Sequence, residues 1–215
     1  MPQPMVTEQP PLSMLTVTHT GTHFAMAFLE LLGIPHNAGR GYTHHHAAPE
    51  LTPHMKERYE QLIGTKCIVT ARDPILSGIR YIHNGTSVQQ VADCWDVFLE
   101  VLPWMDAFIL DMGCREEDRV EHLCDFVRHI GKDPDEYMDD ILEYADGWKP
   151  LNTSNSVEKR KYLELGQLPE TQILNIHRKL VPRRETVETT LTKKIDWTAF
   201  DNAVAWYKSL PTNDA

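Results

Sequence analysis

The segment TVTHTGTHFAMAFLELLG, from Thr16 to Gly33, joins a β-forming run to an amphipathic helix through threonine, glycine and threonine. This junction constrains the fold more than any other part of the chain. Phe24, Phe28, Leu31 and Leu32 recur at i, i+4, i+7 and i+8, the period of one helix face. Gly33 stops the helix, and Pro35 prevents its resumption. The run before the turn, Met14–Thr20, carries Leu15 and Val17 and reads as a strand. The pattern then repeats. After a Gly- and His-rich connection comes a short strand at Gly41–His45. A helix follows from Pro53, with Met55, Tyr59, Leu62 and Ile63 on one face and Gly64 at its end. Lys66–Thr70 reads as a strand that turns at Ala71-Arg72-Asp73 into a helix opened by Pro74, a favoured first-turn residue. Thr86 or Ser87 caps a longer helix bearing Val88, Val91, Trp95, Phe98, Leu99 and Leu102. Ala107–Met112 is a further strand, followed by a helix with Val120, Leu123, Cys124, Val127 and Ile130. Strands alternating with helices predict an α/β fold: a three-layer sandwich with a central, mainly parallel sheet and right-handed crossovers.

The 215 residues suffice for one sizeable core and are marginal for two. We therefore expect a loose Pro/Gln-rich tail over residues 1–12 and a single domain over 13–215. Beyond Asp146 the pattern loosens into a polar loop, with helical stretches at Glu158–Leu165, Glu170–Leu180 and Asp196–Leu210. A formal charge of −10 argues against general nucleic-acid or anionic-membrane binding. It leaves room for a local basic pocket. No apolar run approaches the roughly 18 residues of a membrane span, and the N-terminal stretch lacks the basic start and apolar block of a signal peptide. Cys67, Cys94, Cys114 and Cys124 form no CxxC pair. They read as buried thiols of a reducing, cytoplasmic compartment.

In a parallel α/β sheet, ligands bind at the carboxyl ends of strands. A helix starting there presents unpaired N–H groups and the positive end of its dipole. Thr20-Gly21-Thr22 adds two hydroxyls and a glycine that lets backbone approach a ligand, which suits a phosphate; the plainer alternative is a tight turn with Thr22 as helix cap. The GxxxxGK[ST] pattern is absent, which argues against an ordinary ATP or GTP site. Arg72 stands at a second strand end and can meet another phosphate bidentately; its alternative is a surface pair with Asp73. Ser77 and Arg80 share a face of the helix that follows.

These residues carry a resemblance. TVTHTGTHF resembles the 5′-phosphosulfate loop of the sulfotransferase family, whose fold is P-loop-like. IVTARDPILSGIRYI resembles that family's 3′-phosphate segment, and AFILDMGCREEDRVEHLCDFVRHIG is similar to its later strand and helix. Asn152–Ser154, with Lys159, Arg160 and Lys161 just after, resembles the nucleotide-covering loop of small bacterial-type members; the plainer reading of that charge run is a solvated helix face. The likeness covers about Met14 to Leu165. It implies 3′-phosphoadenosine-5′-phosphosulfate as donor, adenosine 3′,5′-bisphosphate as product, and a small-molecule or carbohydrate acceptor with a hydroxyl or amine. On this reading Thr20, Gly21, Thr22 and His23 hold the 5′-phosphate, and His19 stands at the bridging oxygen where the family has Lys. Arg72 with Ser77 or Arg80 holds the 3′-phosphate, Arg80 falling where the family has Ser. No metal is required.

Sulfuryl transfer also asks for a base. Of eleven histidines, three are consecutive in Tyr42-Thr43-His44-His45-His46, where family members with a histidine base carry Thr-His. His44 is the first candidate and His46 the second; in a strand they share one face while His45 points away. Glu50 is the nearest carboxylate. A zinc site from His44, His46 and His36 or His54 and a solvated loop remain as other readings. Trp95 and Trp104 read as packing residues, Trp148 as packing or an adenine platform, and Asp133, Asp135, Asp139 and Asp140 as helix-start acids. The alternatives for the whole chain are a nucleotide-kinase-like phosphotransferase and a non-catalytic nucleotide- or metal-binding module.

Overall fold

The computed structural model describes residues 12–17, 20–36, 41–83 (backbone alone for 80–83), 86–147 and 195–211. Among these residues four strands form one sheet: β1 (Leu12–Thr16), β2 (Tyr42–His46), β3 (Lys66–Ala71) and β4 (Asp106–Asp111). All pairings are parallel, in the order β2-β1-β3-β4. The α/β expectation with a parallel sheet is met.

The strands alternate between two cores. Leu12 and Met14 of β1, Ile68 of β3 and Leu110 of β4 face α1 (Thr22–Leu31), α5 (Arg119–His129) and α6 (Met138–Asp146). Leu15 of β1 with Cys67 and Val69 of β3 faces the other way, toward α2 (Pro53–Glu60), α4 (Val88–Val101) and α7 (Asp201–Lys208). Phe28 and Trp95, one from each core, are fully buried. Burial of such side chains stabilises by about 1.5–3 kcal/mol each, so both sheet faces are fixed by packing and the strand tips are left to other work. Met55 and Tyr59 of α2 pack on the second core with Leu62, but Ile63, expected on their face, is exposed in the turn after α2 ends at Glu60. Trp95 and Trp104 are packing residues, as their periodicity suggests. Trp206 and Phe200 bring the C-terminal segment onto α4.

Local sequence explains the helix starts. Ser87, not Thr86, caps α4, in a capping box with Gln90. Thr52 caps α2 by accepting from Met55 N–H at 3.3 Å. Asp73 Oδ1 accepts from Ile75 N–H at 2.8 Å and Leu76 N–H at 3.1 Å at the start of α3 (Pro74–His83). Asp133 does the same for the short turn before α6, accepting from Asp135 N–H; Asp139 and Asp140 lie in the first turn of α6.

The strand ends differ from the sequence reading. β1 runs from Leu12 to Thr16 rather than from Met14 to Thr20. It stops because the Val17 carbonyl is taken by Thr20, whose N–H and hydroxyl both donate to it. β2 and β4 each sit one residue away from their expected spans, and β3 extends to Ala71. All four cysteines are free and buried. Burial pushes the Cys67 thiol up to about 12, so it is protonated and inert at neutral pH. No helix among the described residues is long and apolar enough to cross a membrane.

Candidate functional site

From β1 the chain passes through α1 to β2 on one side, whereas β3 lies on the other side of β1. The order reverses between β1 and β3, and a sheet of this kind opens its ligand crevice at the carboxyl ends of those two strands. α1 begins after one of them and α3 after the other.

The turn after β1 is tied directly to β3. Thr20 is fully buried, and its hydroxyl lies 2.7 Å from that of Thr70. Gly21 caps α1 in the left-handed region, φ +116°, which a side chain would strain. A Cβ there would also lie 2.4 Å from Cγ of Met112, the residue after β4. Thr22 was a candidate cap, but it is the first helical residue and makes no capping bond. Its hydroxyl is buried without a hydrogen-bond partner among the described residues, and the first turn of α1 holds no acidic residue. A buried hydroxyl left unpaired costs about 1–3 kcal/mol; at the positive end of a helix dipole, an anion oxygen would satisfy it.

Arg72 follows β3 directly and is buried, 8% exposed. Its burial does not fit a surface pair with Asp73, whose Oδ1 accepts from the start of α3. Ser77 is buried too, but its hydroxyl donates to the Pro74 carbonyl at 3.0 Å, so its proton is committed within the helix. Arg80 lies on α3, its side chain outside the described residues, as is all of His19.

β2 brings its histidines to the same end of the sheet. Met14 pairs with His44 and Thr16 with His46 in the β1–β2 register. Thr16 Oγ1 lies 2.9 Å from His44 Nε2 and 3.2 Å from His46 Nδ1. The two rings are edge to face with centroids 4.3 Å apart. His45 points away, as expected, toward Thr43 and Arg58. Burial lowers His44 to about 3, helped by repulsion from His46, His36, His45 and His23. His46 is lowered as well, by the partial burial of its ring and then by His23. His23, in the first turn of α1, therefore shares one electrostatic neighbourhood with the β2 imidazoles. Glu50 is exposed beyond β2. Among the described residues no three His, Cys, Asp or Glu side chains are grouped to hold a metal ion.

The structure thus brings together Thr20, Gly21 and Thr22 with the end of β3, and His23 with His44 and His46. Thr16, Thr70 and Met112 belong to this end of the sheet and escape sequence reasoning, being ordinary strand residues until the register is known. A further cluster was also missed. Asp111 Oδ1 accepts from Tyr207 Oη at 3.0 Å and from Gly113 N–H at 2.8 Å, and the Asp111 N–H donates to His122 Nε2. Near it, Asp73, Pro74, Ile75, Val204, Tyr207 and Lys208 line a cleft of about 370 Å³. Trp148, Asn152–Ser154, Lys159, Arg160 and Lys161 lie outside the described residues. The chain matches no protein-family model, and no curated protein matches it significantly.

Proposed function

We propose that the chain is a sulfotransferase that binds 3′-phosphoadenosine-5′-phosphosulfate between the ends of β1 and β3 and passes its sulfuryl group to an acceptor hydroxyl or amine. The observation that carries this reading is the Thr20–Thr70 hydroxyl contact, which sets the Thr20-Gly21-Thr22 turn beside the strand that Arg72 follows. A buried arginine and a buried unpartnered hydroxyl at neighbouring strand ends suit a ligand with two anionic groups. Thr22 and the first N–H groups of α1 would take the 5′-phosphate, Gly21 letting the backbone close on it. Arg72 would take the 3′-phosphate. The two imidazoles of β2 interact electrostatically with His23, and one of them would receive the acceptor's proton. Charge developing on the leaving phosphate would meet fixed donors, the main source of catalysis in transfers of this type.

A thermal-shift panel tests the reading. Adenosine 3′,5′-bisphosphate at 100 times its Kd would stabilise the fold by about 2.7 kcal/mol, and ATP with magnesium would do nothing comparable. Stabilisation by ATP with magnesium alone would replace sulfuryl transfer with phosphoryl transfer. Stabilisation by zinc alone would make the chain a metal-binding module.

A further inference from the structure

Thr16 closes β1 and is fully buried, and its hydroxyl faces two ring nitrogens, His44 Nε2 at 2.9 Å and His46 Nδ1 at 3.2 Å. A hydroxyl has one proton. It donates to one of these nitrogens and must accept from the other. Only two arrangements of neutral rings satisfy both contacts. If Thr16 donates to His44 Nε2, then His44 carries its proton on Nδ1, and His46 donates from Nδ1. Both rings are then Nδ1–H tautomers, and the open lone pair is on His46 Nε2. If Thr16 donates to His46 Nδ1, both rings are Nε2–H tautomers, and the open lone pair is on His44 Nδ1. One threonine therefore couples the tautomers of two histidines and decides which of them is the base.

Two observations favour the first arrangement. The shorter contact is the one to His44, as expected where the hydroxyl is the donor, and 3.2 Å is an ordinary length for N–H···O. His46 is exposed while His44 is half-buried, so the first arrangement leaves the open lone pair on the more solvent-accessible ring.

We propose that Thr16 holds His44 and His46 in their Nδ1–H forms and thereby makes Nε2 of His46 the proton acceptor of this site. Thr16 and His44 are positioning residues; His46 is the group that touches the acceptor. The assignment rests on the sulfuryl-transfer reading only for the identity of the reaction. In that reaction the acceptor's O–H or N–H proton moves to His46 Nε2 as its lone pair forms the bond to sulfur. The bond from sulfur to the bridging phosphate oxygen breaks, and adenosine 3′,5′-bisphosphate leaves with that electron pair. The His46 imidazolium keeps its Nδ1–H on Thr16. His44, held uncharged by burial, continues to accept the Thr16 proton throughout.

The tautomers can be read without any substrate. Two-bond proton–nitrogen correlation spectra of the full chain labelled with 15N-histidine should show both His44 and His46 as Nδ1–H forms. Thr16→Val keeps the side-chain shape and removes the hydroxyl, so both rings should revert toward the Nε2–H form; Thr16→Ser should retain the original pattern. Two Nε2–H rings, or one of each, in the parent protein would overturn the proposal. So would an unchanged pattern in a folded Thr16→Val protein. With bisphosphate affinity measured in parallel, His46→Ala should cut sulfuryl transfer about 100-fold or more while binding is retained. Retained turnover in His46→Ala would reject His46 as base. Failure of the parent protein to bind bisphosphate would instead reject the sulfuryl-transfer reading and leave the tautomer result standing.

Discussion

The hydroxyls of Thr20 and Thr70 lie 2.7 Å apart, in residues separated by half a hundred positions, and their proton order is fixed. Thr20 gives its proton to the Val17 carbonyl at 2.6 Å, so Thr70 must donate to Thr20. The turn after β1 is thus bolted to β3 by a directed chain ending on the backbone. Thr20→Val leaves the Thr70 proton without an acceptor in a buried site. It should cost about 1–3 kcal/mol in urea unfolding and weaken bisphosphate binding, because the turn loses its reference to β3. Thr20→Ser should restore both.

Gly21 is constrained twice, by its φ of +116° and by Met112, and the two constraints separate experimentally. Gly21→Ala places a Cβ against the Met112 side chain and should destabilise by about 1–3 kcal/mol. Pairing it with Met112→Ala removes the steric part alone, so the double variant should recover some of the loss and leave the backbone strain. Additive losses in the double-mutant cycle would show that Met112 does not restrain the turn.

Arg72 tests the second anionic subsite. Arg72→Ala should lower adenosine 3′,5′-bisphosphate affinity by about 30-fold or more, as expected when one side of a buried charged contact is removed. Adenosine 5′-monophosphate, which lacks the 3′-phosphate, should lose much less. Equal losses for both nucleotides in calorimetric titration would place Arg72 elsewhere on the ligand.

Much of the fold was legible because periodicity is a local signal: the Phe24–Phe28 spacing, Gly33 and Pro74 mark helices without knowledge of what they pack on. Strand ends were less so. β-forming composition continues to Thr20, but the ladder ends at Thr16 because the Val17 carbonyl bonds within the turn rather than across the sheet. The site was legible where chemistry and strand tip coincide in a few residues, as at Thr20-Gly21-Thr22 and Arg72. It was illegible where partners are remote. Thr16 acquires meaning only from the β1–β2 register, and Asp111 meets Tyr207 across 96 positions of sequence. Thr22 misled because a threonine after a turn suits a cap, and only the backbone conformation of Gly21 shows that the cap position is already taken.

The histidines also make stability depend on pH, with a definite sign. His44 is lowered from its ordinary value near 6.5 to about 3, first by burial, and His45, His46 and His122 are lowered in the same direction, each chiefly by burial. In this range the unfolded chain binds more protons than the folded one, so acid favours unfolding. The stabilisation is fully present above about pH 6.5 and is lost as pH falls toward 3. Urea midpoints should therefore drop between pH 7.5 and pH 5, and His44→Gln should flatten part of that dependence. An identical slope in a folded His44→Gln protein would show that His44 does not drive it.

Tyr207 ties α7 to the sheet through Asp111. The carboxylate oxygen at the end of β4 accepts both the Tyr207 hydroxyl and the Gly113 N–H, and Gly113 is small because a Cβ there would collide with the Tyr207 oxygen. Tyr207→Phe removes one donor and leaves the other, so the carboxylate keeps a partner and the cost should stay near 1–2 kcal/mol. Asp111→Ala removes the acceptor for both and should cost more. Because Tyr207 also lines the cleft beside Asp73 and Pro74, loosening α7 should expose that corner. Amide exchange would then rise at α7 and at the start of α3 in Tyr207→Phe while α5 stays protected. Uniform acceleration across all helices would mean that the contact supports the whole fold rather than this corner.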